Sequence, residues 1–237
     1  MKKVLTAVLC YLLVLVSTVT SFAATKDISS LKTQSTDSGI NLKAKQKKNK
    51  DIAAWIEIEG LDLSEAVMCR DGDNEYYLNR NNNGKKSSNG SLYIEDYNST
   101  DFTDRVTVIY GHNMRSGAMF GNLQECYSNK KKFEKYSTFT IHTTEGEFEY
   151  KVFAAVSFNN KHLLYYNNFS KFSGLQKFLK KVYAVDDSKA HFNTDIEIGE
   201  NDRIVILATC MDGNGSKRYL VMGVYQESDN SAETAEQ

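Results

Sequence analysis

Three side chains of this 237-residue sequence are of the types that cut and join acyl groups: a thiol at Cys210, an imidazole at His112 and a guanidinium at Arg218. Cys210 ends the aliphatic run "RIVILATC", and Arg218 opens the next one, "RYLVMGVY". A thiol is reactive as its thiolate, so a nucleophilic cysteine needs a proton acceptor or a cation beside it. His112 offers the first. It lies in "VIYGHNMRSGAMF", at the end of another hydrophobic run and against a glycine, repeating the placement of Cys210. Arg218 offers the second, with a planar fork of donors suited to carbonyl and oxyanion oxygens. Taken singly, each has a bland alternative: a small core hydrophobe, a solvated arginine, an ordinary turn.

Strands are the elements that must position these groups. Residues 203–209 and 219–225 read as two strands joined by "CMDGNGSKR", a hairpin connection of about nine residues with two glycines. Facing residues of such a pair have Cβ atoms about 5 Å apart, which brings the Arg218 guanidinium within reach of the Cys210 thiol. "AAWIEIEGLDLSEAV" alternates apolar and polar residues around a turn at Gly60. "GSLYIED" (90–96) and "DRVTVIYGHN" (104–113) each read as a strand running into a polar end. "FTIHTT" and "EFEYKVFAAVSF" form a hairpin about Glu145 and Gly146, with His142 alternating outward. "FSGLQKFLKKVYAV" has helical spacing at Phe172, Leu175, Phe178, Leu179 and Val182. Many short strands with few helices predict a mostly β, α+β domain, barrel or sandwich. His162 and His191 fall in polar connecting sequence.

The bulk composition narrows the function. A net charge of −1 leaves no excess of basic residues to neutralise phosphates, so no nucleic-acid partner is expected. No His or Cys pair has ligand spacing and no nucleotide-binding glycine motif is present, so no metal and no cofactor are expected. Two lysines, the apolar run Val4 to Val16 and small residues at Ser21 and Ala23 read as a secretory signal. The rival is an uncleaved membrane anchor, since about 20 apolar residues cross a bilayer. Either reading puts the remainder outside the cytoplasm. Domain organisation is expected as signal or anchor (1–24), stalk with an N-terminal helix near the lysine cluster Lys43 to Lys50 (25–50), catalytic domain (51–226) and disordered acidic tail (227–237). Past the signal only Cys69, Cys126 and Cys210 remain. An odd count leaves at least one thiol free, and a Cys69–Cys126 disulfide stays open.

Together these residues resemble the sortases, the cysteine transpeptidases of Gram-positive cell surfaces. "ILATC" (206–210) is similar to that family's TLxTC motif, Arg218 stands at its arginine position and "YGHN" (110–113) resembles its histidine segment. "WIEIEG" (55–60), "DNEYYL" (73–78), "GSLYIEDYN" (90–98) and "MFGNL" (119–123) resemble class B members, in their order. The resemblance covers roughly residues 52–225. It implies a closed β-barrel with an N-terminal helix and a helix before the cysteine strand. It also implies catalytic roles for Cys210 as nucleophile, His112 as proton carrier and Arg218 as oxyanion donor, with Tyr110, Ala208 and Thr209 lining the substrate. Class B chains often carry serine where Ala208 stands, so a substrate hydroxyl contact is missing here. The implied partners are a sorting-signal peptide of LPxTG or NPxT type and an amine of the cell-wall cross-bridge or its lipid-linked precursor. Membrane contact would come through an uncleaved N-terminus, and the expected state is a monomer. Rival readings are a pilus-polymerising enzyme, a thiol peptidase and a non-catalytic surface scaffold.

Overall fold

The computed structural model of the protein describes residues 39–211 and 214–225. The expected signal or anchor (1–24), the stalk up to residue 38 and the acidic tail (227–237) lie outside the described residues.

Among the described residues there are nine strands: β1 (Ile52–Ile58), β2 (Leu63–Met68), β3 (Leu92–Tyr93), β4 (Val106–Tyr110), β5 (Thr138–His142), β6 (Glu147–Asn159), β7 (His191–Phe192), β8 (Arg203–Met211) and β9 (Asn214–Tyr225). Their order is β5-β1-β2-β3-β4-β8-β9-β6, and the β5–β6 pairing closes the sheet into an eight-stranded barrel. The long strand β6 makes closure feasible. One edge pairs with β9, while the other pairs first with β5 and then with the two residues of β7.

The central strands are apolar on both faces because both faces are covered. Val205, Leu207, Tyr219, Val221 and Ile109 point into the barrel, against Val67, Leu92 and Phe120. The alternate residues Ile204, Ile206, Ala208, Leu220, Met222 and Val224 point outward into a second core. That core is roofed by helix α5 (Phe172–Tyr183), which buries Leu175, Phe178, Leu179 and Val182 along one side. Each such burial is worth about 1.5–3 kcal/mol. The helix falls inside the expected 172–185 window. Four shorter helices accompany it: α1 (Leu42–Gln46), α2 (Leu123–Tyr127), α3 (Lys130–Lys135) and α4 (Leu163–Tyr166). Helix α1 begins at an Asn41 side-chain cap and presses Leu42 onto Ile52, Ala66 and Met68. No helix among the described residues is long and apolar enough to cross a membrane.

Three expectations are corrected. The run 90–96 is a strand only at Leu92 and Tyr93. The chain then turns, Asn98 N–H returning to the Glu95 carbonyl, and Asp96 bonds Asn74 in a loop. The nine-residue connection 210–218 is mostly strand, since β8 runs to Met211 and β9 resumes at Asn214 past an irregularity after Cys210. His142 does not face solvent. It is buried between strands, with Nε2 2.9 Å from Glu57 and Nδ1 3.2 Å from Glu147, because β1 and β6 flank β5 on both sides. The Cys69–Cys126 pairing, left open by the sequence, is answered: both are free thiols.

Candidate active site

Cys210 and Arg218 are register partners in the antiparallel β8–β9 pair, and Arg218 Nη1 lies 3.8 Å from Cys210 Sγ. Strand alternation explains why these two meet. Ala208 and Leu220, one step back on the same face, are sealed beneath the outer core. At Cys210 that cover ends, so the thiol is exposed and the guanidinium half-exposed.

His112 reaches the same rim from β4. This strand runs parallel to β8 with Tyr110 level with Ala208, and the Gly111 N–H donates to the Ala208 carbonyl at 3.1 Å. Two residues on, His112 is therefore level with Cys210. Asn113 Nδ2 ties the turn to the cysteine strand by donating to the Cys210 carbonyl at 3.0 Å. His112 Nε2 is 2.6 Å from the Leu78 carbonyl. A carbonyl only accepts, so Nε2 carries a proton and donates it to Leu78, leaving Nδ1 as the nitrogen free to exchange a proton at the rim. Two glycines make this approach feasible. A Cβ at Gly111 would lie 2.5 Å from Leu92 and 2.7 Å from Phe120. Gly90 has φ +60°, and a Cβ there would come within 2.6 Å of the Leu78 carbonyl and 3.0 Å of the His112 ring. No hydrogen bond joins the His112 ring to the Cys210 sulfur among the described residues.

Beneath Arg218 lies an aromatic floor. The guanidinium carbon is 5.9 Å from the Tyr110 ring centre, and Tyr93 stacks on Tyr110 at 5.5 Å. Burial, and next the Glu95 carboxylate, push the Tyr93 phenol up to about 12 and the Tyr110 phenol well above its ordinary range; Arg218 opposes both shifts. Glu95 in turn pairs with His162 Nε2 at 2.8 Å.

Of the expected substrate-lining residues, Tyr110 is buried as that floor, 7% exposed. Ala208 and Thr209 are each 1% exposed. Thr209 alternates to the face opposite Cys210, where it pairs with Tyr219 inside the barrel. Sequence reasoning missed Leu78, which holds His112 through its carbonyl, and the Glu95–His162 pair. A backbone contact leaves no sequence signal, and His162 sits in connecting sequence without periodicity. Among the described residues no group of three or more His, Cys, Asp or Glu could hold a metal ion.

The architecture is thus a closed barrel whose strand ends gather a thiol, an imidazole and a guanidinium on one rim. Residues 56–226 match the Sortase domain, and the chain belongs to the sortase family. The relatives are of class B. Sortase B of Listeria monocytogenes is 28% identical over 165 residues, which is 70% of this chain and 65% of that relative, so the match spans slightly under two thirds of the relative's length. Clostridium perfringens sortase B superposes with a TM-score of 0.67 at 28% identity, covering 78% of this chain and 99% of that structure. The Staphylococcus aureus sortase B–substrate complex gives 0.68 at 26% identity, covering 79% and 85%.

Proposed function

We propose that the chain is a class B sortase, a cysteine transpeptidase that cleaves a sorting-signal peptide and joins its acyl part to an amine outside the cytoplasm. The observation that carries this reading is the register pair Cys210–Arg218 at 3.8 Å, with the His112 turn bonded to the Cys210 backbone. Kinship with proteins such as the S. aureus enzyme crystallised with its substrate supports the peptide partner.

Cys210 Sγ, as thiolate, attacks the scissile carbonyl carbon, and the carbonyl electron pair moves onto its oxygen. Arg218 donates to that oxyanion, an interaction strengthened as charge develops and worth about 3 kcal/mol for a single donor of this kind. His112, having taken the Cys210 thiol proton at Nδ1 to leave the thiolate, gives that proton to the leaving nitrogen as the C–N bond breaks and a thioester forms. The incoming amine attacks the thioester, returns a proton to His112 and expels Sγ. The Tyr110 ring excludes water below the guanidinium. A cell-wall cross-bridge or lipid-linked precursor is the amine this chemistry calls for, and the N-terminal segment exports or anchors the enzyme.

Intact mass of the full chain, incubated with LPxTG- and NPxT-type peptides with and without triglycine, tests this. The expected result is an acyl adduct on Cys210 that decays as a triglycine-joined product accumulates. Release to water alone, unaffected by triglycine, would replace the transpeptidase with a thiol peptidase. No adduct with any peptide would overturn the enzyme reading.

A further inference from the structure

We propose that Glu95 and His162 are positioning residues for Arg218, acting through the Tyr110 ring on which the guanidinium rests; this builds on the transpeptidase reading. Glu95 follows β3 and His162 precedes α4, 67 positions later, yet His162 Nε2 lies 2.8 Å from Glu95 Oε1. The pair is well shielded, with the Glu95 side chain 13% exposed.

The hydrogen-bond roles are set by the neighbours. His162 Nδ1 accepts the backbone N–H of Tyr165 at 3.2 Å, capping the first turn of α4. A ring nitrogen that accepts carries no proton, so Nε2 holds it and donates to the carboxylate. The imidazole is thereby wedged among three phenols, its centre 6.4 Å from Tyr110, 6.2 Å from Tyr97 and 4.2 Å from Tyr165.

The other half of the carboxylate points the argument toward Arg218. Glu95 Oε2 and the Tyr110 hydroxyl are both buried, and the Glu95 carboxylate acts directly on that phenol. Glu95 and Arg218 act with opposite sign on the same stacked pair, Tyr93 and Tyr110. A negative group and a positive group thus flank one aromatic floor. Arg218 has no carboxylate ion pair among the described residues; it contacts the Cys210 sulfur and the Tyr110 face. A guanidinium is attracted to the face of a ring, and its position follows that ring. A partly buried carboxylate–imidazole pair set against Tyr110, the His162 ring centre 6.4 Å from the phenol ring, therefore constrains the height of the fork over Cys210. A shift on the order of 1 Å at such a donor can lower rate a hundredfold.

A double-mutant cycle separates this from a purely structural link. Glu95→Gln and His162→Gln are each made alone and with Arg218→Ala, and kcat, KM and Tm are measured with the sorting peptide and triglycine. Each single change is expected to lower kcat about tenfold with KM within about twofold, and to cost less than about twofold more once Arg218 is absent, since residues acting through one another are not additive. Multiplicative losses, or single variants with normal kcat, would overturn the proposal whatever happens to Tm. If Glu95→Gln does not fold, His162→Gln, which leaves the carboxylate in place, carries the same cycle. A wild-type chain without turnover would instead sink the transpeptidase reading and this inference with it.

Discussion

Arg218 stands directly across the β8–β9 ladder from Cys210, with Nη1 3.8 Å from the sulfur and the Tyr110 ring 5.9 Å below its guanidinium carbon. Strand pairing, not a flexible loop, holds the donor, so its place over the thiol is set by the barrel. Arg218→Lys keeps the charge but loses the fork. It is expected to lower kcat by about 100-fold or more, on the order of 3 kcal/mol, with little change in Tm. Steady-state transpeptidation and a thermal melt check this; near-normal kcat would remove Arg218 from the reaction.

The three thiols should separate cleanly by reactivity. Cys210 is exposed, whereas Cys126 is buried and Cys69 partly so. Burial, then Asp96, Asp51 and Asp71, push the Cys69 thiol up to about 11. Burial raises Cys126 as well. At pH 8 the thiolate fraction of Cys69 is therefore on the order of one in a thousand. Among the three described thiols, iodoacetamide at pH 8 is expected to add only at Cys210, as read by peptide mapping. The sign for stability follows. A thiol raised in the fold favours the protonated folded state, so its contribution is intact below about pH 9 and is lost as pH climbs towards about 11. Cys69→Ala should flatten the alkaline fall in Tm over that window, and an unchanged fall would exclude Cys69 as its source.

Gly90 connects backbone geometry to the histidine. At φ +60° with the Leu78 carbonyl 2.6 Å from where a Cβ would be, Gly90→Ala brings both strain and a clash. The strain alone costs about 1–3 kcal/mol. Because Leu78 and His112 are the groups that must move, kcat should fall along with Tm. A stable variant of normal activity would show that the Leu78–His112 contact is dispensable.

His142 is the contrasting histidine. It bridges Glu57 and Glu147 across three strands, far in sequence from the β8–β9 rim. His142→Ala removes the imidazole contact from Glu57, which keeps its Ser64 hydrogen bond, and from Glu147, a loss of about 1–3 kcal/mol. For a domain of this size that lowers Tm by about 2–4 °C per kcal/mol. At 25 °C, kcat is expected to stay within about twofold of wild type, and a larger loss would give His142 a part in the reaction.

Much of this protein is legible along the chain. Aliphatic runs that end in Cys210 and at the His112 turn, with Arg218 opening the next run, follow from local alternation and from strand ends being where polar chemistry can emerge. Helix α5 is equally plain, because its apolar residues recur at helical spacing and a single face must be covered. What the sequence could not decide is which face each strand residue takes and who meets it there. Thr209 is chemically fit for a substrate contact but falls on the barrel interior, since a one-residue step along a strand reverses the side chain. His142 alternates as an outward residue, yet neighbouring strands on both sides bury it. The Glu95–His162 pair and the Leu78 carbonyl against His112 join segments 67 and 34 residues apart. Such contacts depend on how the whole sheet curls and assembles. Closure is a property of the whole sheet, so only the tertiary structure could decide them.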